Sequence, residues 1–317
     1  MRAFVLAGAL TACIPNGNIG STAWEITVDS LDRVEIGRGG HTAVLREAAI
    51  DMRAPDGSLA WTMTPLGPLV DVEVDPAGGL VALAPDTMTR LRPDGTVAWS
   101  QAVPISILPR NAIVLDRDDA TWLLFTDDLG THWRRYDRDG AQIGTGELPT
   151  GRNRALTPVT AALPDGGIAY VDGTGGVYAL DASGPRWRIA PGAPGRDYLR
   201  LAVHDDGEIT VMTDAGVIRL DAERHERWRR ETRTHGRLGS MMASLTDGSV
   251  VTCGQDMLDD EDEISVLHRI DRDGNITTET VRDDVRARLA EGAPAALFGF
   301  TRRALDARYA ALEVRRL

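Results

Sequence analysis

Ile270-Asp271-Arg272-Asp273-Gly274-Asn275 recurs in altered form along most of the chain. The other copies are Ala54-Pro55-Asp56-Gly57, Arg92-Pro93-Asp94-Gly95, Tyr136-Asp137-Arg138-Asp139-Gly140, Leu180-Asp181-Ala182-Ser183-Gly184 and Leu220-Asp221-Ala222-Glu223-Arg224. Asp-Gly is hairpin chemistry: Asp bonds its own backbone, and Gly takes a positive φ without a Cβ clash. Three residues before the turn acid stands an apolar residue in most copies, Arg53 being the exception. A Trp follows on the next strand at Trp61, Trp99, Trp187 and Trp228.

The copies fall 38 to 50 residues apart, a mean of about 43, which is the spacing of four-stranded propeller blades. Each repeat has a second turn upstream, such as Asp75-Pro76-Ala77-Gly78-Gly79 or Thr246-Asp247-Gly248, followed by an apolar run. Two hairpins and the link between them make four short antiparallel strands. An all-β fold is expected: a β-propeller of seven four-stranded blades, with six or eight also compatible with the degenerate ends. The segment around Trp24 reads as an outer strand and residues 309–315 as an inner one, so the two termini are expected to close the last blade. A helix is suggested only at 282–291.

Ala179-Leu180-Asp181-Ala182, a turn Gly184 and then Trp187 resemble the pyrroloquinoline-quinone-type propeller repeat. In that family the blade Trp packs between neighbouring blades, so the resemblance assigns Trp61, Trp99, Trp187 and Trp228 to packing. Gly144 and Thr278 stand where a Trp would be expected. The quinoprotein enzymes of this fold use adjacent cysteines and a carboxylate-bound calcium. Neither pattern is present, and no cofactor is expected.

At the N-terminus, Met1-Arg2 is a minimal basic start and residues 3–10 are apolar but too short to span a bilayer. Leu10-Thr11-Ala12-Cys13 resembles the lipobox of bacterial lipoproteins, which implies acylation of Cys13. Residues 1–13 are read as a lipoprotein signal peptide, 14–21 as a tether and 22–317 as one propeller domain. Ile14 after the Cys points to the outer membrane, on its periplasmic side or at the cell surface. A net charge of −12 argues against a nucleic-acid partner. All 35 basic residues are Arg. With Cys13 acylated, Cys253 has no partner and no disulfide is expected.

Candidate chemistry is sparse. Asp137/Asp139 and Asp271/Asp273 lack the further ligands of a calcium loop, and the six histidines show no metal spacing, so no metal is expected. Residues 259–263 are an acidic run expected to form a solvated loop. Arg110, Arg152, Arg196 and Arg237 each follow a Gly or Pro in the connection between repeats. They would form an arc at one channel mouth and attract anionic groups, or else clamp one blade to the next. The expected function is a non-enzymatic binding or scaffold module for an envelope protein or an anionic ligand, in a monomeric propeller. It is similar to the propeller lipoproteins of the outer-membrane barrel-assembly machinery. A hydrolase or lyase acting on a glycan, lactone or ester at the channel is the alternative.

Overall fold

The computed structural model describes residues 8–13, 22–28, 33–37, 40–46, 49–64, 67–103, 112–126, 131–148, 159–171, 176–190, 198–213, 216–231, 241–244, 247–258, 262–280, 297–299 and 312–316. They contain strands and turns and no helix; 282–291 lies outside them.

The chain enters through β1 (Gly8–Cys13) and β2 (Thr22–Val28). A first sheet follows, with β3 (Arg33–Ile36), β4 (Thr42–Arg46), β5 (Ala49–Arg53) and β6 (Leu59–Met63). The second holds β7 (Asp71–Val74), β8 (Leu80–Leu83), β9 (Thr87–Leu91) and β10 (Val97–Ala102). The third holds β11 (Ala112–Leu115), β12 (Thr121–Thr126), β13 (Thr131–Tyr136) and β14 (Gln142–Leu148). The fourth holds β15 (Val159–Ala162), β16 (Ile168–Val171), β17 (Val177–Asp181) and β18 (Gly184–Ile189). The fifth holds β19 (Tyr198–Val203), β20 (Ile209–Thr213), β21 (Gly216–Leu220) and β22 (Glu226–Arg230). The sixth holds β23 (Met241–Ser244), β24 (Val250–Leu258), β25 (Asp262–Ile270) and β26 (Ile276–Thr280). Last come β27 (Leu297–Gly299) and β28 (Leu312–Arg316).

Each of the six sheets pairs its strands in chain order and antiparallel. The terminal strands pair in the order β2-β1-β28-β27, mixing both ends of the chain. The apolar run read as a leader thus supplies β1, with Leu10 opposite Ile26. Residues 259–263 are not one open loop. Asp262 and Glu263 belong to β25, opposite Leu258 and Met257, so two nine-residue strands absorb most of the extra length of that repeat.

The first strands of sheets one to six touch in succession. Apolar clusters line the seams: Met52, Trp61 and Val74 join sheets one and two, and Leu83, Trp99 and Ile113 join two and three. Trp122, Trp133 and Tyr170 join three and four, Ala179, Leu201 and Val211 four and five, and Trp228, Met242 and Ile270 five and six. The core is therefore a series of layers. This explains why β7, β16, β20 and β21 are buried on both faces whereas the outer strand β14 is mostly open.

The repeated turns are the expected hairpins. Gly95 N donates to Arg92 O at 2.9 Å, and Gly140, Arg224 and Gly274 repeat this bond. Gly95, Gly140 and Gly274 lie at φ of 82°, 88° and 85°; Arg224 holds the same conformation at 77°. Each tryptophan of the pattern packs on the turn of the next sheet. A Cβ on Gly95 would stand 3.1 Å from Trp61, and one on Gly140 2.7 Å from Trp99. Trp99 Nε1 donates to Arg138 O at 2.9 Å and Trp228 Nε1 to Arg272 O at 2.8 Å. Trp187 instead carries the Arg224 guanidinium, 4.2 Å from its ring. At Gly144, where the Trp is missing, Trp133 from the adjacent strand lies over Gly144 and Gly146 and restores the seam.

Candidate functional site

The densest polar chemistry among the described residues lies on the turns between first and second strands. Third strands carry Arg90, Arg135, Arg219 and Arg269, each just before the apolar residue that enters the outer turn. Each reaches back to the inner turn of its own sheet. Arg90 meets Asp75, and across the seam it bonds Asp119 O at 2.8 Å. Arg135 donates to Asp116 Oδ2 through Nε (3.1 Å) and Nη2 (2.8 Å), while Trp122 Nε1 donates to the same oxygen. Arg269 pairs with Asp247.

Arg219 is the centre of the largest group and is fully buried. Its Nε donates to Glu208 Oε2 at 2.8 Å, and its Nη1 to Gly248 O of the sixth sheet at 2.7 Å. Nη1 also lies 2.6 Å from His204 Nε2. A guanidinium only donates, so Nε2 accepts, and His204 is neutral with its proton on Nδ1. Burial, and then the Arg219 charge, hold the His204 pKa well below 6.5. Burial alone would raise the Glu208 carboxyl. Arg219 and Arg227 outweigh it and keep Glu208 below its ordinary value. Arg272, on the outer turn of the sixth sheet, adds a contact to Glu208 and pairs with Asp206.

Two further contacts tie sheets together. Asp71 Oδ2 accepts from Ile113 N at 2.9 Å, tying β7 to β11. Arg117 of the third sheet pairs with Asp205 of the fifth, passing over the fourth. Chemically, these groups neutralise buried charge and join one repeat to the next. Asp137 and Asp271 are turn caps, accepting from Ala141 N and Asn275 N at 2.8 Å. Among the described residues no three His, Cys, Asp or Glu side chains gather as metal ligands.

Arg110, Arg152, Arg196 and Arg237 lie outside the described residues. Cys13 ends β1, and its side chain is likewise outside the description. The clamp role weighed for those four arginines is played here by Arg90, Arg219 and Arg272, and by Arg230, whose Nε donates to Gly274 O of the sixth sheet at 2.6 Å. The sequence signal for the first two is an Arg held in one register, as in Arg90-Leu91 and Arg219-Leu220.

Four-stranded antiparallel sheets stacked seam to seam define a repeat protein of the β-propeller class. Residues 130–281 match the family model described as outer membrane protein assembly factor BamB, and the repeats are of the PQQ-like type. No curated protein matches the chain. Among solved structures, a streptogramin B lyase is similar at 10% identity, covering 100% of this chain and 99% of its own, with a TM-score of 0.62. Virginiamycin B lyase from Staphylococcus aureus is similar at 10% identity, covering 90% and 94%, with a TM-score of 0.61. BBS1N, in complex with ARL6DN, is 14% identical over 83% and 82%, with a TM-score of 0.51. A lyase and a complex-forming domain share the architecture, so the likeness shows the fold and leaves the activity open.

Proposed function

We propose that the protein is a lipid-anchored, seven-bladed propeller of the bacterial envelope that binds or scaffolds an envelope protein or an anionic ligand and catalyses no reaction. The observation that carries this reading is the match of residues 130–281 to a family described as an outer-membrane assembly factor. The use of Arg219 and Arg90 as seam clamps, and of Arg135 to neutralise the buried Asp116, supports it, because their charge is spent on the fold. The terminal sheet is the seventh blade. Cys13 carries the lipid, on the periplasmic side of the outer membrane or at the cell surface. Cleavage before Cys13 takes Gly8–Ala12 out of the terminal sheet, so β2 re-pairs there in the mature protein. Binding is assigned to the connections between sheets, where Arg110, Arg152, Arg196 and Arg237 stand. The second reading, a lyase or hydrolase at the channel, draws on the likeness to the streptogramin B and virginiamycin B lyases.

The test is affinity co-purification from gently solubilised envelopes, wild type beside the variant with all four arginines changed to Ser. A stoichiometric envelope protein lost only from the variant supports both scaffold and arc. Retention by both keeps the scaffold and makes the four arginines clamps. Retention by neither turns the search to a small ligand or a channel reaction. The intact mass of the same preparation reads the anchor: an acylated chain beginning at Cys13, or an unprocessed one.

A further inference from the structure

The seam between sheets one and two is incompletely filled. A cavity of about 140 Å³ lies between Ile50 and Met63 of the first sheet and Leu69 and Ala82 of the second. The hollow is partly open to solvent, so a small molecule can enter it. An apolar cavity of about 150 Å³ holds one benzene ring. Asp86 and Thr87, on the turn between β8 and β9, also line it and supply its polar side. That turn is fixed, since Asp86 O accepts from Val103 N at 2.9 Å. Thr87 Oγ1 donates to the Asp86 carboxylate at 3.0 Å.

Asp86 differs from the acids of the inner turns. Asp75, Asp116, Asp165, Asp206 and Asp247 each face an arginine. Asp86 is exposed and has no cationic partner among the described residues. An apolar hollow with an unneutralised carboxylate at its rim matches one kind of molecule.

We propose that this seam binds a small amphiphilic amine: one aromatic ring or branched alkyl group, with an ammonium two or three bonds away. The ring fills the hollow between Ile50 and Ala82. The ammonium donates to the Asp86 carboxylate and to the Thr87 hydroxyl. A carboxylate or phosphate head of the same shape is repelled. This site is independent of the scaffold reading and of the four connection arginines.

The experiment titrates the full chain with 2-phenylethylamine and with 3-phenylpropionate, a near match in size and opposite in charge, by calorimetry and ligand-observed NMR. The amine is expected to bind saturably, with a Kd on the order of 1 mM for a ligand of this size. The carboxylate is expected to bind at least tenfold more weakly. Asp86→Asn, a surface change that leaves folding intact, is expected to weaken the amine about tenfold, the loss of one charge-assisted contact. Ala82→Leu fills the hollow and is expected to abolish binding of the amine. The proposal is overturned by no saturation at roughly ten times the expected Kd, by equal binding of the two probes, or by Asp86→Asn binding the amine as wild type does.

Discussion

Replacing Arg219 by Met tests whether the buried clamps hold the repeats together. The stem of the side chain is kept and the guanidinium removed. The Gly248 carbonyl and His204 Nε2 lose the donor they face, and Glu208 keeps Arg227 and Arg272. Breaking a buried pair costs about 3–5 kcal/mol. With two partners left on Glu208, the lower figure of about 3 kcal/mol applies, on the order of 5 °C in Tm for a chain of this length. Arg227→Met is the control: it removes a partner of the same carboxylate, but from a partly exposed side chain, and is expected to cost less than about 1 kcal/mol. Both are read by urea unfolding followed by Trp fluorescence. Hydrogen exchange is expected to speed up along β21 and the β23–β24 turn in Arg219→Met alone. If Arg219→Met costs no more than Arg227→Met, the buried network does not hold the fifth and sixth sheets together.

Acid should weaken the same seam in two steps. Unfolded, His204 takes a proton near pH 6.5, whereas folded it resists one. The folded state therefore binds fewer protons, and stability that is full above pH 6.5 is lost as pH falls, at up to about 1.4 kcal/mol per pH unit. His204→Asn should flatten urea midpoints measured between pH 7.5 and 5.5, and an unchanged slope would refute the assignment. The Glu208 contribution, present above its ordinary value of 4.5, should go at still lower pH. Gly140→Ala combines a positive φ with a Cβ 2.7 Å from Trp99, whereas Gly207→Ala, at φ 82°, meets only ordinary contact. The first should cost about 2 kcal/mol more than the second in chemical denaturation, and equal costs would show that the Trp seam yields freely. Arg224→Gly removes the cation over Trp187, relieves a strained φ and frees Ala222 O for the buried Trp187 Nε1. These offset, so a change within about 1 kcal/mol is expected, and a loss of 2 kcal/mol or more would put the weight on the cation–ring contact.

The outer turns were legible because Asp-Gly has a narrow conformational meaning, and even Arg224 was found at its glycine position by spacing. The tryptophans were legible because burial of that ring at a fixed distance from a turn has few other uses. The clamps were not. An Arg inside a strand reads as a solvent-facing charge, and only its register in Arg90-Leu91, Arg135-Tyr136, Arg219-Leu220 and Arg269-Ile270 points inward. Gly144 looked like a departure from the pattern, because the compensating Trp133 sits on another strand and only pairing brings the two together. Arg110, Arg152, Arg196 and Arg237 recur once per repeat after a Gly or Pro but belong to no turn of defined geometry, so their role rests on position in the repeat alone. The empty seam near Ala82 is a difference of volumes between two sheets, which a linear sequence does not display.

The packing of each tryptophan on the following repeat gives the chain a direction. Where the pattern holds, a unit carries a plug, the indole, and seats it on a socket, the outer turn of the next unit, so the two parts that meet belong to different units. Such an interface is heterologous: it adds copies in one sense until something stops it. In the intact chain the succession ends where the termini share a sheet. A fragment cut between sheets keeps a bare plug at one edge and a bare socket at the other. Its natural partner is another copy of itself, so broken chains are expected to add head to tail, and duplication of a unit that carries both parts lengthens the series in the same sense.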